Sequence, residues 1–415
     1  MKRRLRVVPA VPSAPATRGT RAAARCAGAA AAFGLGALLA LGCSPRETPP
    51  PSPAESREAV LDALSDPDTF GRARRLATLL PKLGAEHVPE IRTVLEDPDV
   101  DGGAAETLLL VRFWATHDPA GASAWAATLA PRAFRYAATL PSFELWARRD
   151  PEAARTWIGA HLVRSGPSRE AAQTGLVRGW FDSGQPGLVQ SIEGLGKGFE
   201  QQRLLGVLAQ AMIQRDGGSA TTQWAESLPD EPKPFKLAAF RQVGSTLAQA
   251  DLAAAVAWCD AHCGGPFGSS LRQLVAARWA RQDAPAAMDW LAAAPEGSER
   301  DRAVRVASQS WLRRDREAAL RWIEAIGPDD VEPWLRPALD LYAVAISRER
   351  AAEAVDWAAH IDDETRRQSA YVAIARRWRE QDAGAADAWL AESPLSEEAR
   401  QMALRPARPA RPPRR

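Results

Sequence analysis

WLRRDREAALRW, residues 311–322, opens and closes on Trp, places an Asp four residues after the first Trp and sets a pair of Ala before the second. WARQDAPAAMDW (279–290) and WREQDAGAADAW (378–389) have the same form. With the first Trp as anchor, equivalent positions fall at Trp114, Trp146, Trp180, Met212, Leu247, Trp279, Trp311, Ile346 and Trp378, at intervals of 32–35 residues. A second anchor follows at Trp125, Trp157, Ile192 or its neighbour, Trp224, Trp258, Trp290, Trp322, Trp357 and Trp389. Fourteen of the 15 Trp occupy these two positions and only Trp334 does not. A period of that size is one two-helix unit of a repeat array.

The unit reads as two helices. Four residues before the first anchor stand Leu110, Leu176, Leu208, Val243, Val275, Tyr342 and Ile374, and eight before it Ala138, Ala172, Leu204, Ala239, Leu271, Ala303, Ala338 and Ala370. This stripe puts one apolar face on a first helix. Ser168 and Ser298 offer N-cap side chains for such helices. After the anchor comes Asp118-Pro119, Asp150-Pro151, or Asp251, Asp283, Asp315 and Asp382. An Asp N-cap satisfies a free amide and Pro at the first helical position needs none, so a second helix starts there. It carries the small pairs Ala153-Ala154, Ala286-Ala287 and Ala318-Ala319 and stops near Pro131, Pro229, Pro295, Pro328 or Pro394. Burying one Trp contributes up to about 5 kcal/mol, but one hairpin cannot cover both rings, so its neighbour must. The expected fold is therefore all-α: a right-handed α-solenoid of about nine hairpins over 104–395. In period and helix pairing this resembles the tetratricopeptide-like class, although the Trp-x2-Leu-Gly-x2-Tyr signature is absent, so only the architecture is implied. Residues 56–103 lack both anchors and read as a helical N-terminal cap. The third and fourth repeats are degraded, and GLGKGFE (194–200) interrupts the pattern, where the array is expected to bend or break.

The ends have another character. Residues 1–42 hold seven basic and no acidic residues, and the run from Arg405 to Arg415 adds five Arg, which leaves 41 basic against 51 acidic residues for 43–404. So acidic a body does not suit nucleic acid, which needs a basic face. The N-terminus runs from a basic segment through seventeen uncharged residues to Cys43, the order of an export signal. Leu39-Ala40-Leu41-Gly42-Cys43 resembles the lipobox of bacterial lipoproteins. The resemblance implies a signal peptide over 1–42, lipidation of Cys43, and, with Ser44 rather than Asp next, an outer-membrane anchor facing the periplasm. SPRETPPPSPAES has five Pro in thirteen residues, so 43–55 is expected to be an extended tether. The terminal segment 396–415 ends in a solvated Arg/Pro tail.

No constellation for catalysis emerges. The five His (His87, His117, His161, His262, His360) are scattered and read as surface or helix-end residues. Lys197 in GLGKGFE lacks phosphate-loop spacing. Cys259 and Cys263 sit four apart at a helix end before Gly264-Gly265. They fit a small disulfide in an oxidising compartment, two buried thiols, or a metal site with His262 that lacks a fourth ligand. The expectation is a non-catalytic, lipid-anchored envelope scaffold, without cofactor or metal, binding an envelope protein or peptide through its repeat surface. The alternatives are an α/α-toroid or solenoid enzyme, for which the irregular zone offers only Glu193, Lys197 and Glu200, and a structural spacer.

Overall fold

In the computed structural model the described residues are 51–405, apart from 101, 131, 164 and 165. Cys43, the signal segment and the Arg/Pro tail from 406 lie outside them. Within that range every regular element is a helix. Three helices come first: α1 (Pro53–Leu64), α2 (Thr69–Leu79) and α3 (Val88–Glu96). They share one apolar cluster, built on Val60, Leu76 and Ile91, that reaches Leu110 and Phe113 of the first repeat. The helical segment begins earlier than the 43–55 tether allowed. Ser52 caps α1 in a reciprocal box with Glu55, and Nε2 of the buried His87 sits 2.8 Å from the Pro51 carbonyl. A carboxylate and a hydroxyl three residues apart start a helix even in a Pro-rich run.

Nine hairpins follow. The first three pair α4 (Ala104–His117) with α5 (Pro119–Thr128), α6 (Arg132–Arg149) with α7 (Pro151–His161), and α8 (Pro167–Ser183) with the short α9 (Leu188–Glu193). The fourth lies within α10 (Phe199–Ser227), which turns at Gly217 with φ 86°, a left-handed conformation that glycine adopts without strain. Next come α11 (Lys233–Ala250) with α12 (Leu252–His262), and α13 (Leu271–Trp279) with α14 (Ala284–Ala292). The last three are α15 (Ser298–Arg314) with α16 (Arg316–Ile326), α17 (Leu339–Ile346) with α18 (Ala351–Ala359), and α19 (Glu364–Gln381) with α20 (Ala383–Glu392). A final helix, α21 (Glu397–Leu404), covers α19.

The six Asp after the first anchor all cap second helices. Each accepts the amide three residues on: Asp118 from Gly121 at 2.9 Å, Asp150 from Ala153 at 2.9 Å, Asp251 from Ala254 at 3.0 Å, Asp283 from Ala286 at 3.1 Å, Asp315 from Ala318 at 3.0 Å and Asp382 from Ala385 at 2.9 Å. Ser168 and Ser298 do not cap. Their helices start one residue earlier or at the Ser itself, behind Gly166 and Gly297, which carry no side chain to compete. Every residue of the apolar stripe named above is buried. None of the fourteen anchor Trp is exposed; seven are buried and the other seven half-buried. Where both anchors are Trp, the rings meet within the hairpin, with centroids 5.2–6.3 Å apart, so each hairpin covers part of its own pair.

Each first helix packs on its own second helix and on the next first helix, as in α4 on α6, α6 on α8, α11 on α13 and α17 on α19, and each second helix also packs on the next first helix, as in α5 on α6 and α18 on α19. The array therefore continues through the degraded third repeat. Its tightest joint lies there: a Cβ on Gly175 would come within 2.2 Å of the Leu140 carbonyl oxygen, and one on Gly179 within 2.1 Å of the Glu144 carbonyl oxygen. The backbones of α6 and α8 touch, and only hydrogen fits between them. Gly179→Ala is expected to lower stability by about 1–3 kcal/mol through overpacking, although Ala is the better helix former. Gly159→Ala in α7, where a Cβ meets nothing within 4 Å, should raise it. Urea melts of the two variants check the opposite signs.

Candidate interaction surface

First helices that stack side by side in one direction bring all hairpin-to-hairpin loops to one edge. Two sets of side chains hold this register. The first lies eleven residues before six of the nine first anchors, at Arg135, Arg169, Gln201, Lys236, Arg300 and Arg367, and α21 carries Arg400 in the corresponding place. Each reaches back to the carbonyls that end the preceding second helix. Arg135 donates to the Ala130 oxygen at 2.9 and 3.1 Å, and Arg169 to Ile158 and Leu162 at 3.3 and 3.2 Å. Gln201 donates to Ile192 and Glu193, Arg300 to Ala294, and Arg367 to Ile361. The buried Lys236 serves Glu226 at 2.9 Å and Leu228 at 2.7 Å. Helix C-termini leave unpaired carbonyls and a partial negative charge, and a cation or amide placed there answers both. Arg400 repeats the contact on Leu390, so α21 packs as the first helix of a tenth unit.

The second set lies at the other edge, about three residues after the anchor. Arg149 donates to the Thr116 carbonyl, Arg215 to Phe181 at 3.1 Å, Gln381 to Arg348, and Gln185 to Arg148 and Arg149. Neither set was anticipated from the sequence. The first was detectable, since Arg, Lys or Gln recurs there at the anchor's own spacing. The expected cost of Lys236→Met is about 1–3 kcal/mol, because the Glu226 and Leu228 carbonyls lose their donor. The exposed neighbour Lys233→Met should stay within roughly 0.5 kcal/mol, as equilibrium unfolding would report.

Of the residues singled out by sequence, Cys43 lies outside the described range. Cys259 and Cys263 stand as a disulfide at the end of α12, both buried, with Cα atoms 4.8 Å apart. His262 does not approach a sulfur ligand set; its Nε2 is 3.1 Å from Glu226. His117, His161 and His262 end their helices, whereas His87 is buried rather than superficial, because it ties the start of α1 to the 3-10 turn Ala85–His87. Among the described residues no group of three or more His, Cys, Asp or Glu could hold a metal. No described helix is long and apolar enough to cross a membrane.

GLGKGFE is shorter as a loop than expected, since Phe199 and Glu200 already belong to α10. Glu200 joins the third and fourth hairpins: Arg169 donates to it at 3.3 Å, Gln173 also donates, and Arg203 donates to Gln173. Partial burial pushes the Glu200 carboxyl up, but the hydrogen bonds from Gln173 and Arg169 and the positive field of Arg169 and Arg203 outweigh that and hold it below the ordinary carboxylate range. A depressed folded value stabilises above the unfolded pKa and is lost as pH falls through the folded one. Glu200→Gln is thus expected to lower the melting temperature at pH 7, with the difference from the parent shrinking once pH falls below the ordinary Glu value of about 4.3 and gone only below the depressed folded value, as a pH series of thermal melts would show.

The loop edge has two halves of different chemistry. Among the described residues the large exposed apolar side chains are Phe70, Leu129, Tyr136, Val163, Leu195 and Phe199, with Met402 and Leu404 in α21. All of the first six sit at loop-edge positions of the cap and first four hairpins. From the fourth hairpin on, the same edge is acidic and exposed, with Asp230, Glu231, Glu296, Asp329, Asp330, Asp362 and Asp363. Comparison with known proteins adds no relative: no family model, no curated protein and no solved structure matches this chain.

Proposed function

We propose that this chain is a non-catalytic scaffold of the bacterial cell envelope, tethered by lipidated Cys43, that binds a protein partner along its loop edge. The observation that carries the reading is the run of exposed apolar side chains at consecutive junctions. Single exposed apolar residues need no explanation, but an aligned row of them marks an interaction surface. The acidic second half of the edge favours a partner segment that is apolar at one end and basic at the other, since complementary charge steers and orients association. The lipobox-like run ending at Cys43 supports the tether. One acyl chain holds a membrane weakly, and the multiple chains of a bacterial lipoprotein hold it firmly.

Two measurements test this. A photo-crosslinking residue at position 199 or 195 in the intact protein should yield a discrete adduct in envelope preparations, whereas one at 281, on the opposite edge, should not; equal labelling at both edges contradicts the docking edge. Cys43→Ser is expected to accumulate as an uncleaved, unacylated precursor. A wild-type protein with an unmodified N-terminus downstream of Cys43 contradicts the tether.

A further inference from the structure

Two later junctions depart from the carbonyl-capping pattern, with Leu335 before Ile346 and a glycine before Trp279, and the second of these leaves a cation without that role. Eleven residues before Trp279 stands Gly268, not a basic residue. The Cys259–Cys263 disulfide and the glycine loop after it finish α12 instead, with the Gly265 amide on the His262 carbonyl at 2.9 Å. The basic side chain has moved one helical turn on, to Arg272 in α13. It is 6% exposed, yet its guanidinium makes no hydrogen bond or ion pair with any described residue. The face of Trp290 lies against it, 5.3 Å from the guanidinium carbon to the ring centroid.

Arg272 and Trp290 line a cleft of about 600 Å³ between the end of α12, α14 and the first turn of α15. Arg300 lines its far wall. Its Nε is buried without a partner, and its side chain is 10% exposed. The first turn of α15 adds amides with no side-chain cap, behind Gly297 at φ 139°. The Arg272 nitrogens are open to the cleft and free to meet an anion there, and a helix N-terminus attracts negative charge. Three carboxylates border the same space. Asp260 accepts the Trp290 indole N–H at 3.0 Å, and Glu296 and Glu299 stand at the rim. They oppose a dianion and leave room for a single negative charge.

We propose that this cleft binds one carboxylate of a peptide, gripped by the Arg272 fork and the free amides of α15, with the neighbouring peptide atoms against Trp290. A planar guanidinium matches a carboxylate in shape and charge. The inference is independent of the envelope reading, because it concerns only the sixth and seventh hairpins and their junction with the fifth.

The test uses the full chain and three capped peptides. Acetyl-Ala-Ala-Ala offers only a terminal carboxylate, acetyl-Ala-Ala-Glu-Ala-amide only a side-chain carboxylate, and acetyl-Ala-Ala-Gln-Ala-amide neither. Binding is read by calorimetry and by the indole N–H spectrum of Trp-labelled protein, with the Trp290 signal assigned from Trp290→Phe. Saturable binding of the first or second peptide, with a shift of the Trp290 signal and none from the third, supports the site and tells which carboxylate it takes. Arg272→Gln should weaken that binding about tenfold to a hundredfold, and Arg272→Lys less. The site is overturned if no carboxylate peptide binds, if the Gln peptide binds as well, if inorganic phosphate displaces the peptide at equal concentration, or if Arg272→Gln binds unchanged. Should Arg272→Gln fail to fold, Arg272→Lys takes its place, and the wild-type Trp290 shift still decides.

Discussion

A hairpin of two short helices has an apolar face that it cannot cover alone. Everything in this fold answers that constraint. The anchor Trp rings meet inside the hairpin, but the stripe behind them, from Ala138 and Leu204 to Tyr342 and Ile374, is closed by the neighbouring hairpins. Apolar contact sets no register by itself, because one alanine-rich face slides on another. Polar side chains supply it: Arg135, Arg169, Lys236 and Arg367 each find the carbonyls that end one particular helix. Helix ends thus serve as addresses, and the same bonds that satisfy them set the spacing of the array.

The same logic separates structural polar groups from those left over. Six Asp caps and seven carbonyl-capping side chains are consumed by the repeat. What the repeat does not use is informative, because natural folds break their own local rules mostly at sites of function. The exposed row from Phe70 to Phe199 and the unbonded Arg272 are two such departures. Both lie at junctions between hairpins, where loops vary while the helices hold them. The disulfide at Cys259–Cys263 contributes indirectly, since closing the end of α12 releases the basic position of that junction for another role.

Much of this was legible in the sequence because it was periodic. The Trp spacing located all nine hairpins, and Asp at a fixed step from the anchor located the second helices. Non-periodic features were not legible. Nothing in the linear order tells that Gly175 and Gly179 lie on the α6 backbone, because that contact crosses thirty-odd residues. Ser168 and Ser298 carried the right side chain for a cap, yet glycine took the position beside each, and that choice rests on backbone geometry. The interruption at GLGKGFE proved local, since Glu200 and its partners bridge the hairpins on either side. The capping Arg were visible but unread, as charge on a helix is ordinarily a solvated face.

If each hairpin depends on its neighbours and not on a common centre, stability is close to a sum of unit and neighbour contributions. Removing Asp363–Leu404, the ninth hairpin with α21, tests this directly by circular dichroism and denaturant unfolding. The account predicts a protein that keeps the helicity of its remaining units and unfolds at lower denaturant concentration. A truncated chain that is wholly unfolded would contradict it, because it would show that the hairpins share one cooperative core.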